Sequence, residues 1–219
     1  TISHSSNSVT QWDDKSGNGY HATAASGEEP TTGSSTINDK NVLAWGTSKA
    51  MSRTTPTNAN WQDVYIVAQW NGGSSFSNHN GLFGGTASKG LLGNSDSPGT
   101  SVNANGWFDN FYLNGSASST SGVINTMSSA FIASISKDSA VSATGYKVGF
   151  DRGNSGRGWD GLIAEVLAFN AKLSDADRKK VQTYLSQKWN ISIPSGSTSF
   201  VSSAKDSSGK NYHGILKTR

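Results

Sequence analysis

Cysteine is absent from the 219 residues. That removes disulfide frameworks, zinc–thiolate centres and thiol nucleophiles together. Glutamate is nearly absent too, since Glu28, Glu29 and Glu165 are the whole supply. Charged side chains make up only 15% of the chain, so hydroxyls and amides carry most of its hydration. No apolar run approaches the roughly 20 residues that cross a bilayer as a helix. No signal peptide is visible, and Thr1 in first place leads us to expect sequence upstream of it.

What is present points to strands and turns. The chain carries Gly 25 and abundant Ser, Thr and Asn, while its apolar share is 33%. That share is low for a globular domain, and the aromatic residues partly offset it because each buries a large area. The length suits one large domain. The formal net charge of +3 comes from scattered Lys and Arg. The one dense group, Arg178-Lys179-Lys180, falls on an expected helix where a solvated face is the ordinary role. No nucleic-acid partner and no membrane insertion are therefore expected.

Periodicity places the elements. Val64–Trp70 is β-branched and aromatic throughout, which predicts a strand. Asn41–Trp45, Gly81–Gly84, Gly90–Gly93, Trp107–Leu113, Phe131–Ser136 and Tyr146–Phe150 are further strand candidates. Asn114-Gly115 is a hairpin-type turn signal. Residues 1–11 read as polar and hydroxyl-rich. Gly161–Phe169 is apolar on both faces. Strict alternation puts Leu162, Ala164, Val166 and Ala168 on one side and Ile163, Leu167 and Phe169 on the other, the latter sealed between two sheets. Ser174 then caps a helix of about 174–189, with Asp175 and Asp177 in its first turn. Val181, Tyr184, Leu185 and Trp189 form its expected apolar stripe, and Pro194 forbids its continuation. The expected fold class is all-β, a two-sheet antiparallel sandwich with one short C-terminal helix, over residues 1–194. Residues 195–219 are a Ser-rich extension that adds a strand or begins a second module. They contain Asp206-Ser-Ser-Gly-Lys-Asn-Tyr-His-Gly214, an echo of Asp14-Lys-Ser-Gly-Asn-Gly-Tyr-His-Ala22.

Three segments carry a resemblance. They are Trp12 with Asp14-x-Ser-Gly-Asn-Gly-Tyr-His-Ala22; Lys40-Asn-Val-Leu-Ala-Trp-Gly46; and Trp159-x-Gly-x-Ile-Ala-Glu-Val-Leu-Ala-Phe-Asn170 with Leu173-Ser174 and Tyr184-Leu-x-x-Lys-Trp189. In this order the chain resembles the concanavalin A-like lectin/glucanase superfamily, in its laminin-G-like and pentraxin-like bacterial and phage branch. The resemblance implies a jelly-roll sandwich whose members mostly bind carbohydrates, glycoproteins or other surface ligands, often with calcium. It also implies that Trp12, Trp45, Trp159 and Trp189 are core residues. The family's apolar strand just before the position of Thr1 is missing here, and the segment after Pro194 is extra and a candidate to fill that gap.

Glycoside hydrolysis needs two carboxyl groups flanking the bond. The glucanase branch takes them from a Glu-x-Asp-x-x-Glu strand, and this chain has no such pattern, so no enzymatic activity is expected. Glu165 is expected to be a hydrogen-bonded structural residue. His4, His21, His79 and His213 lack metal-ligand spacing, and His21 is expected to fix a turn. Calcium is a possible cofactor, with Asp13, Asp14, Asp151 and Asp160 as candidate ligands beside Asn18 and Asn154; the same residue types also make ordinary Asx-turns. Sugar binding needs an aromatic face with planar amides and carboxylates around it. Trp107, Asp109, Asn110 and Tyr112 offer that mixture, preceded by Asn103 and Asn105. Trp70, Asn71, Asn78 and His79 are a second candidate rim, and Arg152 and Arg157 are candidates to grip an acidic sugar.

The expected role is a non-enzymatic recognition or adhesion module for a polysaccharide or glycoprotein glycan, exposed on a cell or virion surface or outside the cell. The alternative is a structural protein of an assembly, such as a virion decoration, fibre or filament subunit, that self-associates or contacts neighbouring subunits through the jelly roll.

Overall fold

The computed structural model describes residues 1–53, 59–77, 79–85, 90–93, 99–103, 108–143, 145–153 and 156–194. In chain order the first strands are β1 (Ile2–Ser5), β2 (Ser8–Trp12), β3 (Ala22–Thr23), β4 (Thr36–Ile37), β5 (Lys40–Asn41), β6 (Leu43–Trp45), β7 (Met51–Arg53) and β8 (Ala59–Trp70). There follow β9 (Asn80–Gly85), β10 (Leu91–Gly93), β11 (Val102–Asn103), β12 (Asn110–Leu113), β13 (Ser116–Ala117), the short helix α1 (Ile124–Met127), β14 (Phe131–Ala143), β15 (Tyr146–Val148), β16 (Gly161–Phe169) and α2 (Asp175–Trp189).

These form two large antiparallel sheets, as the sequence predicts, with β4 and β5 paired as a small separate one. An eight-stranded sheet runs β1-β2-β3-β7-β15-β9-β10-β11, and a six-stranded sheet runs β13-β12-β14-β8-β16-β6. Trp12, Trp61, Phe83, Phe131, Tyr146, Trp159 and Ile163 pack between them. At one side the segment Pro30–Thr32 joins the two sheets. Val9 N–H donates to the Pro30 carbonyl at 2.8 Å, and Thr31 exchanges backbone bonds with Ala44 at 2.9 and 2.8 Å. The four tryptophans expected in the core are all buried.

Residues 2–12, which the sequence marks only as polar and hydroxyl-rich up to Trp12, form the hairpin β1–β2. Val9 and Trp12 supply the buried positions of β2, a pattern too sparse to stand out among the surrounding serines and threonines. The turn at Asn114-Gly115 is where it was expected. Both residues have positive φ, 48° and 83°, as a two-residue hairpin turn between β12 and β13 requires.

Strand β16 is buried along its whole length, but its faces are not those of strict alternation. The register with β8 shifts between Ile163 and Glu165, a bulge that turns Ala164 and Glu165 to the same side. Ile163, Val166 and Ala168 therefore face the eight-stranded sheet, while Leu162, Ala164, Leu167 and Phe169 face α2. Leu167 and Phe169 lie under the helix, not between the sheets.

Helix α2 starts and ends as its residue types dictate. The Ser174 Oγ accepts from Asp177 N–H at 3.1 Å. Asn190, in left-handed conformation, closes the helix four residues ahead of Pro194. Leu185 and Trp189 bury fully against the six-stranded sheet, which is worth about 1.5–3 kcal/mol per side chain. The remaining buried positions are Gln182 and Thr183, whereas Val181 and Tyr184 stay half-buried. The stripe is thus rotated from the expected one, because the helix covers polar as well as apolar sheet surface. Among the described residues no helix is long and apolar enough to cross a membrane.

Candidate functional site

Outside the sandwich, the six-stranded sheet carries two rows of side chains across its strands. Residues paired directly across antiparallel strands share a face. The pairs Tyr112↔Ser134, Ser134↔Tyr65 and Tyr65↔Leu167 make one row, and Asn110↔Ser136, Ser136↔Asp63 and Asp63↔Phe169 make the next. Each row passes from apolar on β16, beneath α2, to polar on β12. Phe111 and Leu113, the alternating residues of β12, point into the core and so turn Asn110 and Tyr112 outward.

Helix α2 borders these rows with Arg178 and Gln182. The Arg178 guanidinium lies 4.4 Å from the centroid of the Tyr112 ring and pairs with Asp175 at 3.0 Å. Gln182 Nε2 reaches Ser134 Oγ at 3.5 Å, and Asn110 Nδ2 donates to Ser136 Oγ at 3.2 Å. The basic triplet is therefore not uniformly solvated. Arg178 is drawn onto an aromatic ring, Lys180 pairs with Asp177, and Lys179 is exposed.

Two buried groups lie deeper in the rows. Asp63 is only 2% exposed and accepts from Leu173 N–H at 2.5 Å. Burial pushes its carboxyl up to about 6, against the Leu173 hydrogen bond and the nearby Arg178 and Lys172 charges. Tyr65 is fully buried, edge-on to Phe169. Its hydroxyl has no hydrogen-bond partner among the described residues. Burial, then the Asp63 charge, pushes its ionisation far up, so it stays a neutral donor.

Asn110 and Tyr112 are the two candidates from the sequence that the fold brings into this face. Asp109 stands just before β12 and is spent on the chain itself: its carboxylate accepts from Asp138 N–H at 2.7 Å and from Lys137 Nζ at 3.1 Å. Those bonds hold its ionisation below the usual carboxylate range. Asn105 and Trp107 lie outside the described residues, as do Asn78 and Asn154. The second rim does not assemble as expected. Trp70 is buried, donates to Gly73 O at 2.9 Å and packs on Phe76 and Trp159, and His79 is buried too.

Arg152 and Arg157 converge on one buried carboxylate. Asp151 accepts from Arg152 Nε and Nη2, at 2.9 and 3.0 Å, and from Arg157 Nη1 at 3.1 Å. The two guanidinium groups are thus engaged in holding their own loop. Asp14 is similarly committed, accepting from Ser16 N–H at 2.8 Å, Ser16 Oγ at 2.6 Å and Tyr20 N–H at 3.0 Å. His21 Nδ1 accepts from Asp14 N–H at 3.1 Å and closes the turn. Asp13 takes Gln11 Nε2 at 2.8 Å, and the Asp160 carbonyl takes Asn71 N–H at 2.9 Å. Calcium wants about six to eight oxygens free of competing donors. Asp14 and Asp151 do not fit that demand, and no group of three or more His, Asp or Glu side chains converges among the described residues.

Asp63, Tyr65, Ser134, Ser136, Arg178 and Gln182 were not readable as site residues, since only the register brings them together. Asp63, an acid heading an apolar strand, was the one available signal. Comparison of the chain with protein-family profiles, curated proteins and solved structures gives no match.

Proposed function

We propose that this sandwich is a non-enzymatic recognition module for glycans, displayed on a surface or secreted, and that it binds through the outer face of β12 and β14 beside α2. One observation carries the reading. Tyr112, Asn110 and Arg178 bring an aromatic ring, an amide and a guanidinium to the edge of one half-covered sheet face, above the buried Ser134, Ser136 and Gln182, the mixture that sugar recognition needs. The resemblance of the sequence to lectin-like sandwiches supports it. So does the fate of two buried acids: Glu165 and Asp151 are spent on internal ion pairs. A glycan array run with and without chelator tests the proposal. Binding is expected to persist in chelator and to be lost in Tyr112→Ala. Retention of binding by that variant would move the site elsewhere.

A second reading has its own observation. Among the described residues strand β1 ends the eight-stranded sheet and pairs only with β2, and three of its four residues are exposed. An open edge accepts a strand from another chain, which suits a subunit of an assembly. The mass in solution separates the readings: a fixed oligomer that binds no glycan favours assembly, and a monomer that binds glycan favours recognition.

A further inference from the structure

We infer that Asn18 and Asn71 are sites of spontaneous deamidation, and that conversion of Asn18 loosens the turn between β2 and β3. The chain holds five Asn-Gly pairs, headed by Asn18, Asn71, Asn80, Asn105 and Asn114. Asparagine is thermolabile, and a following glycine, with no Cβ, lets its own amide nitrogen approach the asparagine side chain. The fold sorts the pairs. Asn18 and Asn71 are exposed on loops, and neither Gly19 N–H nor Gly72 N–H makes a hydrogen bond among the described residues. Asn80 is buried and gripped at both ends of its amide: Nδ2 donates to Gly158 O at 2.9 Å and Oδ1 accepts from Ser77 N–H at 2.8 Å. The Gly81 N–H that follows it is also taken, by Arg157 O at 2.9 Å. Asn114 is half-buried, and its Oδ1 accepts from Ile132 N–H at 2.8 Å. Asn105 lies outside the described residues.

The reaction needs only water. The glycine nitrogen attacks Cγ of the asparagine, a C–N bond forms and the Cγ–Nδ2 bond breaks. The glycine's proton leaves with the amide nitrogen as ammonia. Water then opens the cyclic imide at either carbonyl, which gives aspartate or, with one extra main-chain carbon, isoaspartate. At Asn18 either product disturbs what surrounds it. Asn18 Nδ2 donates to Ser16 Oγ at 2.8 Å, and Ser16 Oγ donates to Asp14 Oδ2 at 2.6 Å. An ionised carboxylate has no proton to give, so it meets the Ser16 lone pairs and the like charge of Asp14. Isoaspartate also shifts the two carbonyls that tie this turn to the eight-stranded sheet: Gly19 O, which takes Arg53 Nη1, and Tyr20 O, which takes the Tyr146 hydroxyl.

The test is ageing of the intact protein in mildly alkaline buffer, followed by peptide mapping with mass spectrometry and by isoaspartyl methyltransferase labelling. The same chain in urea serves as the unfolded reference. In the folded protein Asn18 and Asn71 are expected to convert at least about tenfold faster than Asn80 and Asn114, whose bonds must open first, whereas in urea all four convert. Aged wild type should melt lower than fresh. Asn18→Gln, whose longer side chain closes the ring poorly, should age with its melting temperature held, and Asn71→Gln should leave the drop in place. Equal conversion of all four pairs in the folded protein, or an Asn18 or Asn71 amide that persists there while urea converts it, overturns the assignment of the sites. Conversion at Asn18 with no change in melting, or a drop that Asn18→Gln does not prevent, overturns the loosened turn.

Discussion

Trp189 Nε1 donates to Glu165 Oε2 at 2.7 Å, and the Lys188 ammonium reaches the same oxygen at the same distance. Tyr184 donates to the other oxygen at 3.0 Å. Burial and the Glu165 charge push the Tyr184 hydroxyl's ionisation up, so it remains a donor. One carboxylate with no exposed side-chain surface thereby ties a bulged strand to the last two turns of α2.

Removing that carboxylate should loosen the helix. Glu165→Ala strands an indole N–H and a lysine around a cavity, and breaking a buried ion pair from one side costs about 3–5 kcal/mol. Glu165→Gln keeps the shape but turns an amide NH2 toward donors, with an expected loss of about 2 kcal/mol. Urea unfolding followed by tryptophan fluorescence measures both. A midpoint unchanged in Glu165→Ala would mean that α2 is held by its apolar contacts alone.

The same carboxylate marks what could be read from the sequence. The β16–α2 unit was legible because each of its parts is local: a run of buried residues, Ser174 as cap, acids in the first turn. The bulge was not, since alternation alone cannot see where two residues oppose one. A hint existed, because a lone glutamate in an apolar strand must face donors, and Tyr184, Lys188 and Trp189 follow on a helix. The outer rows were illegible for a stronger reason. Tyr112, Ser134 and Tyr65 become neighbours only through pairings between strands far apart in the chain, and no local pattern encodes that register.

Gly149 and Gly153, close in sequence, should respond unequally to alanine. Gly149 has φ of +71°, and a Cβ there would stand 2.2 Å from the Trp45 ring. Left-handed strain and overpacking together predict a loss of about 2–4 kcal/mol. Gly153 has nothing within 4 Å of such a Cβ, and its alanine variant should stay within about 0.5 kcal/mol of wild type. Paired thermal melts check this. Equal melting temperatures would show that Trp45 can move aside.

Asp14 gives a prediction about metal. Its oxygens already take three protein donors within one loop. Asp14→Ala should therefore destabilise by about 1–3 kcal/mol by leaving Ser16 and Tyr20 amides unmatched, whereas a chelator should leave the melting temperature of wild type unchanged. A chelator-induced drop that Asp14→Ala abolishes would place an ion in this loop.

Asp63 should make the protein more stable in acid than at neutral pH. Its carboxyl is raised from 3.8 to about 6 in the folded chain by burial, so the folded state favours the protonated form. The stabilisation is complete below the unfolded value of 3.8 and is lost as pH rises through about 6, amounting to about 3 kcal/mol at most. Asp109, held low by Asp138 N–H and Lys137, acts in the opposite direction, but its exposure to solvent leaves it screened. Asparagine is isosteric with aspartate and keeps an acceptor for Leu173 N–H, so Asp63→Asn should raise stability at neutral pH and flatten the profile from mildly acid to neutral conditions. Urea midpoints across that range give the answer. A wild-type profile that climbs toward neutral pH, or one that Asp63→Asn does not alter, would show that Asp63 is solvated well enough to ionise freely beneath Arg178.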